Sequence, residues 1–328
     1  MYVHPLSPAS ATQAGLRRRH WVAALAGLAL RPRLALAGDE AAARGLNDLM
    51  PAFWTVYDAS SGAAAEVRAQ SLLSQFFSKY AEVYHRAGAK VSLAGVTRWL
   101  AQFDAMAAQV RQVHQQFANA YALGLQRFSA ALSDFDAIAS PVTVLPSLFR
   151  FDAHLQPDGA QLPLFFGPDG IVRFHGAQAD LNVLFTHELF HCYQAQKNPS
   201  MSLDPVTPVF ANLWIEGVAT YASERLNPGA STLHVLLDDA ELAGIDASTL
   251  RSAVQNLLAH WDASDDATLG AFFQTGYHGA WPARTGYYIG LMAARRIGAG
   301  MGLSQMAAMP TPEVRTRLMQ AVRDVVPA

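Results

Sequence analysis

His187-Glu188-Leu189-Phe190-His191 lies in a segment, Asn182 to Gln196, whose composition predicts a helix. Four residues make just over one helical turn, so His187 and His191 leave the helix on one face. Two imidazole nitrogens at that separation can together hold one Zn²⁺, each at about 2.0–2.1 Å. Glu188, one residue on, reaches a metal-activated water without being a ligand itself. This is the residue set required to split a peptide bond with such a water. Leu181, Val183, Leu184, Leu189 and Phe190 surround the motif, so the helix is expected to be buried, and buried imidazoles and carboxylates need partners. The plainer reading, two unrelated core or surface histidines, leaves those partners unaccounted for.

A zinc centre needs a third protein ligand. Downstream runs Asn212-Leu213-Trp214-Ile215-Glu216-Gly217-Val218-Ala219-Thr220-Tyr221. Glu216 sits in an apolar stretch, which favours a ligand over a surface ion pair, and Gly217 and Ala219 are small enough to let this helix approach the first. The competing carboxylates are Asp204, in the Pro-rich loop from Asn198 to Pro208, and Glu224, one to two turns beyond Glu216. Cys192, the only cysteine, excludes an intramolecular disulfide. It points about 100° away from His191 and reads as a small buried apolar residue rather than a fourth ligand.

His-Glu-Leu-Phe-His followed by Trp-Ile-Glu-Gly-Val-Ala-Thr-Tyr resembles the gluzincin clan of zinc metallopeptidases. It is especially similar to bacterial families of predicted zinc proteases with an HExxH … EGxAxY pattern. Arg284-Thr285-Gly286-Tyr287-Tyr288-Ile289-Gly290 is similar to a G-Y-x-x-G segment near the C-terminus of such families. The resemblance spans roughly Leu162 to Ile297 and does not reach the N-terminal third. The spacing from His191 to Glu216 departs from that of the best-known gluzincins. The resemblance implies zinc on His187, His191 and Glu216, with Glu188 as general base. It also implies an edge strand just ahead of the metal helix that pairs with extended substrate, for which Ile171 to His175 is the candidate.

A hydrolytic centre also needs a donor for the oxygen that gains charge. Tyr287 is the first candidate, because a phenol flanked by glycines can approach the metal closely. Tyr288, Arg284 and His278 remain alternatives. Two other classes of function stay open: a zinc-holding structural or interaction module in which Glu188 is idle, and hydrolysis of an ester or non-peptide amide.

The rest of the chain sets the frame. Its 328 residues suffice for one large domain or two small ones. A net charge of −2 argues against a nucleic-acid partner; the expected substrate, a peptide or protein, is what the motif and the resemblance imply. Arg17-Arg18-Arg19-His20-Trp21, a ten-residue apolar run and Ala35-Leu36-Ala37 read as a twin-arginine-like export signal over residues 1–37. That predicts a periplasmic or secreted protein. The apolar run is too short to span a bilayer, so no stable membrane insertion is expected once the signal is cleaved.

Residues 38–140 are alanine-rich, with apolar residues at helical spacing. Leu72, Phe76, Phe77, Tyr80, Val83 and Tyr84 form one stripe; Val110, Val113, Phe117, Tyr121 and Leu125 form another. Three or four helices follow from these. His85 and His114 lack a partner at i+4 and read as structural or exposed. Residues 141–328 form the expected catalytic part. It begins with β-type runs at Val142–Leu145, Leu148–Phe151, Leu162–Phe166 and Ile171–Phe174, split by Pro-Asp-Gly turns, which predict a small antiparallel sheet. Helices follow, interrupted by a long aromatic loop from Ser264 to Pro282 of the kind that forms lids. The fold class is therefore α+β and mostly helical, with the zincin-like part last.

Overall fold

A computed structural model describes residues 46–325. The export-signal reading of residues 1–37 lies outside the described residues. The fold is α+β and 63% helical, with one four-stranded sheet.

Helices α1 (Met50–Ala59), α2 (Ala65–Leu72), α3 (Ala81–Arg86) and α4 (Leu93–Ala131) make up the N-terminal part. A π-helical turn at Leu73–Phe77 joins α2 towards α3. Helix α4 has 39 residues, so it is about 58 Å long at 1.5 Å per residue. Its buried stripe of Trp99, Phe103, Val110, Val113, Phe117, Tyr121 and Phe128 recurs at the three- and four-residue spacing of one helix face. The lower half of the stripe packs on Phe53, with ring centres of Phe53 and Phe103 5.4 Å apart. The upper half backs the helix that carries His187 and His191, with Phe117 4.8 Å from Phe185. His114 is structural: it joins Asp48 at 2.8 Å and receives the Trp54 indole N–H at 3.3 Å.

The sheet corrects the expected topology. Strands β1 (Leu46–Asp48), β2 (Val142–Val144), β3 (Ala153–Leu155) and β4 (Leu164–Phe166) lie in the order β1-β2-β4-β3. The β1–β2 and β2–β4 pairs are parallel, and only β3–β4 is antiparallel. The sheet is thus mixed, and Leu148–Phe151 is a turn rather than a strand.

Ile171–His175 is likewise not an edge strand. It belongs to helix α5 (Pro168–His175), which has Pro168 in its first turn, Asp169 beside it and Gly176 at φ +81° after its end. Those start and stop signals outweigh the β-branched pair Ile171-Val172. Buried Asp169 fixes the preceding turn by accepting from Ser147 N at 2.6 Å, Phe149 N at 2.9 Å and Trp99 Nε1 at 3.0 Å. Helix α5 presses on that turn so closely that a Cβ on Gly170 would lie 1.9 Å from the Phe151 carbonyl oxygen.

Helices α6 (Leu181–Lys197), α7 (Pro199–Ser202), α8 (Val209–Leu226), α9 (Thr232–Val235), α10 (Ala240–Ala243) and α11 (Ala247–Ala259) follow. Then come α12 (Asp266–Phe273), α13 (Thr285–Gly298), α14 (Leu303–Ala307) and α15 (Thr311–Arg323). The long loop expected at Ser264–Pro282 is half helix, because α12 fills its first part. Trp281 stacks on Phe272 at 5.2 Å and donates to the Ala271 carbonyl at 2.8 Å, which ties the remainder down.

The closest helix crossing is α8 on α13. A Cβ on Gly217 would meet the Gly290 backbone at 2.5 Å, and one on Gly290 would meet the Leu213 carbonyl oxygen at 2.6 Å. The small residue after Glu216 therefore opens onto α13 and not, as its position suggested, onto the metal helix. The α8–α6 contact is made partly by hydroxyl and amide groups: Ser223 Oγ donates to the Val183 carbonyl at 3.1 Å, and Asn227 to Thr186 at 3.0 Å. Among the described residues no helix is long and apolar enough to cross a membrane.

Candidate metal centre

Helix α6 starts at Asp180, whose carboxylate accepts from the N–H groups of Asn182 and Val183. Every residue from Val183 to Ala195 is buried, because α4, α8 and the sheet region enclose the helix. His187 and His191 leave it on the side facing α8, and Glu216 comes from α8 to meet them. The three ligand atoms form a near-equilateral triangle. The two Nε2 atoms are 3.0 Å apart, and each is 3.3 Å from Glu216 Oε2. A metal bound at 2.0–2.1 Å with tetrahedral angles requires ligand separations of about 3.3 Å. The triangle matches that requirement, so this buried His-His-Glu group can hold a metal ion. Among the described residues no fourth His, Cys, Asp or Glu joins it.

Electrostatics keep the ligands in their binding forms. Burial pushes His187 down to about 4, more than Glu216 raises it, so its ring is neutral at pH 7. Burial alone would raise Glu216, but His191 and the hydrogen bonds from both histidines hold it well below the usual carboxylate range. Glu188 is different. Burial pushes its carboxyl well above the ordinary range, and the charges of Asp152 and Glu216 push the same way. Its Oε2 is buried without a hydrogen-bond partner, as are Nδ1 of His187 and Nδ1 of His191. Such orphaned atoms are rare in folded proteins, and a cluster of them calls for an explanation.

Of the four proposed oxyanion donors, Tyr287 lies beside the triad. Its ring stacks on His187 with centres 5.9 Å apart and planes 10° from parallel. Burial, then the charge of Glu216, pushes its phenol well up, so it remains protonated. Tyr288, the next residue, neighbours Arg295 instead. Arg284 is buried at the N-terminus of α13, with its guanidinium carbon 5.9 Å from the Tyr287 ring centre. His278 is exposed on the loop before α13. The rejected carboxylates are employed elsewhere: Asp204 caps its own loop through Val206 N, and Glu224 pairs with Arg295. Cys192 is a buried thiol pushed up to about 12 by burial, hence inert.

The sequence did not point to the pair of His175 and Asp152, whose carboxylate is near enough to act on Glu188. His175, at the end of α5, bonds Asp152 Oδ2 through Nε2 at 2.5 Å and the Leu237 carbonyl through Nδ1 at 2.9 Å. Both ring nitrogens thus face oxygen atoms. Burial would raise Asp152, but the bond from His175 and its charge keep the acid below its ordinary range. The helix signals at Pro168 and Gly176 could have located His175; no local signal marks Asp152. No family model, curated protein or solved structure matches this chain.

Proposed function

We propose that this chain is a zinc-dependent hydrolase that cleaves peptide bonds, with Glu188 as general base. The observation that carries the reading is the triangle of His187, His191 and Glu216 beside a buried carboxyl oxygen of Glu188 that has no partner. Two imidazoles and a carboxylate are a donor set of catalytic zinc centres, which leave the fourth position to water. Zinc in that set supplies Lewis acidity and lowers the pKa of a water to about 7.

The chain's own groups account for the proton movements. Glu188, with proton affinity raised by burial, is matched to take a proton from the attacking water and return it to the leaving nitrogen. As the C–N bond breaks, the amine leaves neutral. The Tyr287 hydroxyl donates to the carbonyl oxygen as that oxygen gains charge. The twin-arginine-like segment supports work in the periplasm or outside the cell.

One observation favours a second reading, a zinc-holding structural module. The four residues His187, Glu188, His191 and Glu216 are only 1%, 5%, 4% and 3% exposed. One measurement tests the centre that both readings share, and a second separates them. Elemental analysis should find about one zinc per chain, lost in His187→Ala; zinc retained by that variant refutes the centre. Glu188→Gln should keep zinc and fold but stop cleavage of a peptide library. If zinc-loaded wild type cleaves no peptide but does cleave esters or non-peptide amides, the substrate class is wrong; if it cleaves nothing, the module reading takes over.

A further inference from the structure

Arg284 is the only buried arginine among the described residues, and its pairing is poor. At the surface, Arg68 grips Asp104 through two nitrogens at 2.6 and 2.9 Å, and Arg315 grips Asp262 at 2.5 and 3.2 Å. The Arg284 side chain, 8% exposed, uses one nitrogen. Its Nη2 donates to Asp239 Oδ2 at 3.1 Å and leans on the Leu237 carbonyl at 3.5 Å. Asp239 is shared, since its other oxygen caps α10 through Leu242 N. The remaining N–H groups of the guanidinium donate to no described residue. One long contact is a weak one, and the unpaired nitrogens are not sealed from solvent, so they remain open to a ligand.

Left-handed backbone surrounds this cation. Arg284 itself has φ +57°, and Leu237 and Asp238 have φ +57° and +61°. Two of the five non-glycine residues with positive φ, Arg284 itself and Leu237, thus meet at one guanidinium, and Asp238 follows directly in the chain. Left-handed backbone in residues with a Cβ persists only where surrounding structure enforces it, and it concentrates at binding sites. The neighbours are already satisfied: His175 uses both ring nitrogens, and Asp152 accepts from His175 and from Ala153 N. The unmet capacity belongs to Arg284.

The ring of Tyr287 neighbours both Arg284 and His187, at 5.9 Å each. The guanidinium is therefore no more than about 12 Å from a metal ligand, a distance three or four extended residues span. A planar fork with several free N–H groups fits a carboxylate, whose two oxygens it can hold together, better than a single carbonyl oxygen. We propose that Arg284 anchors a carboxylate of the substrate, so that this centre acts on peptides bearing a free carboxylate within a few residues of the bond cut. The carboxylate is either the C-terminus or an Asp or Glu side chain. This rests on the peptide-hydrolase reading above.

The test is calorimetric binding to zinc-loaded Glu188→Gln protein, in which turnover does not interfere. The probes are twin peptides of one sequence, ending in an acid or an amide, and carrying Glu or Gln inside. A carboxylate twin should bind about 10–100-fold more tightly than its neutral partner. Whether the terminal or the internal pair shows the preference identifies the source. Adding Arg284→Gln should abolish the preference and Arg284→Lys should retain part of it, with zinc content unchanged in both. Twins that bind alike, or a preference that survives Arg284→Gln, overturn the anchor and leave the hydrolase reading standing. Binding of no twin at all overturns the anchor and the peptide reading together.

Discussion

The N-terminal helices and the α6–α8 pair solve opposite problems. In α1–α4 the interior is aromatic and the charges stay at the rim. Trp99 and Phe103 lie 4.3 Å apart inside, while Asp104 takes two bonds from Arg68 and one from Tyr57 at the surface. Along α6 the charges are inside. Five buried polar atoms on that one helix have no partner: Nδ1 of His187, Oε2 of Glu188, Nδ1 of His191, and both amide atoms of Gln194. Burial without a partner is costly, so a helix that collects such atoms is not built for stability. The comparison suggests a division of labour, in which the aromatic part supplies the stability that the polar part consumes.

The largest expected effect tests the supply side. Phe103→Ala removes a fully buried ring that touches Phe53, Trp54, Tyr57 and Trp99, and should cost about 3–5 kcal/mol. Denaturant titration measures this, and zinc bound per folded chain should not change. If zinc is lost in proportion to stability, the two parts are not separate in function.

Tyr287→Phe probes the polar side. It should lower kcat by about 10–10³-fold with little change in KM, since the bond to the oxyanion forms only in the transition state. Tyr288→Phe is the control, because that residue neighbours Arg295 rather than the triad. Equal losses in both variants would assign the effect to packing of α13.

The smallest effect is the sharpest test of the division. In metal-free protein the folded state holds the Glu188 proton to higher pH than the unfolded state does. That stabilisation is complete below the unfolded value near 4.5 and is lost as pH rises through the raised folded value. Gln cannot ionise. Chelated Glu188→Gln should therefore be more stable than chelated wild type at pH 8, by on the order of 1–3 kcal/mol, with the gap closing towards pH 4.5. Superimposable melting curves at pH 8 would mean that Glu188 costs the fold nothing.

How much of this could be read from the sequence depended on range. The helix of His187 and His191 was legible because its two histidines are one turn apart, a relation fixed by helix geometry alone. Glu216 was legible because a carboxylate in an apolar helix needs a reason. The α4 stripe followed from the same periodicity. The sheet was not legible: three-residue strands carry too little pattern, and parallel pairing of Leu46–Asp48 with Val142–Val144 joins segments almost a hundred residues apart. Helix α5 reads as a strand in sequence because Ile171-Val172 outweighs the Pro168 and Gly176 punctuation, and His175 is hidden with it. The bends at Leu237, Asp238 and Arg284 left no trace, since tertiary contacts force their positive φ where no glycine advertises it.

The backbone contact of Gly217 with Gly290 has a consequence of its own. Most helix pairs are held apart by side chains, so their spacing drifts as methyl groups come and go over generations. This pair has no side chain to trade. One of its helices carries Glu216, and the other carries Tyr287 with Arg284 at its head, so the distance between those groups is gauged by two hydrogen atoms. A ruler of that kind does not stretch. Either glycine replaced by alanine would wedge the helices apart, and the width of the site would change without any reacting group having been touched.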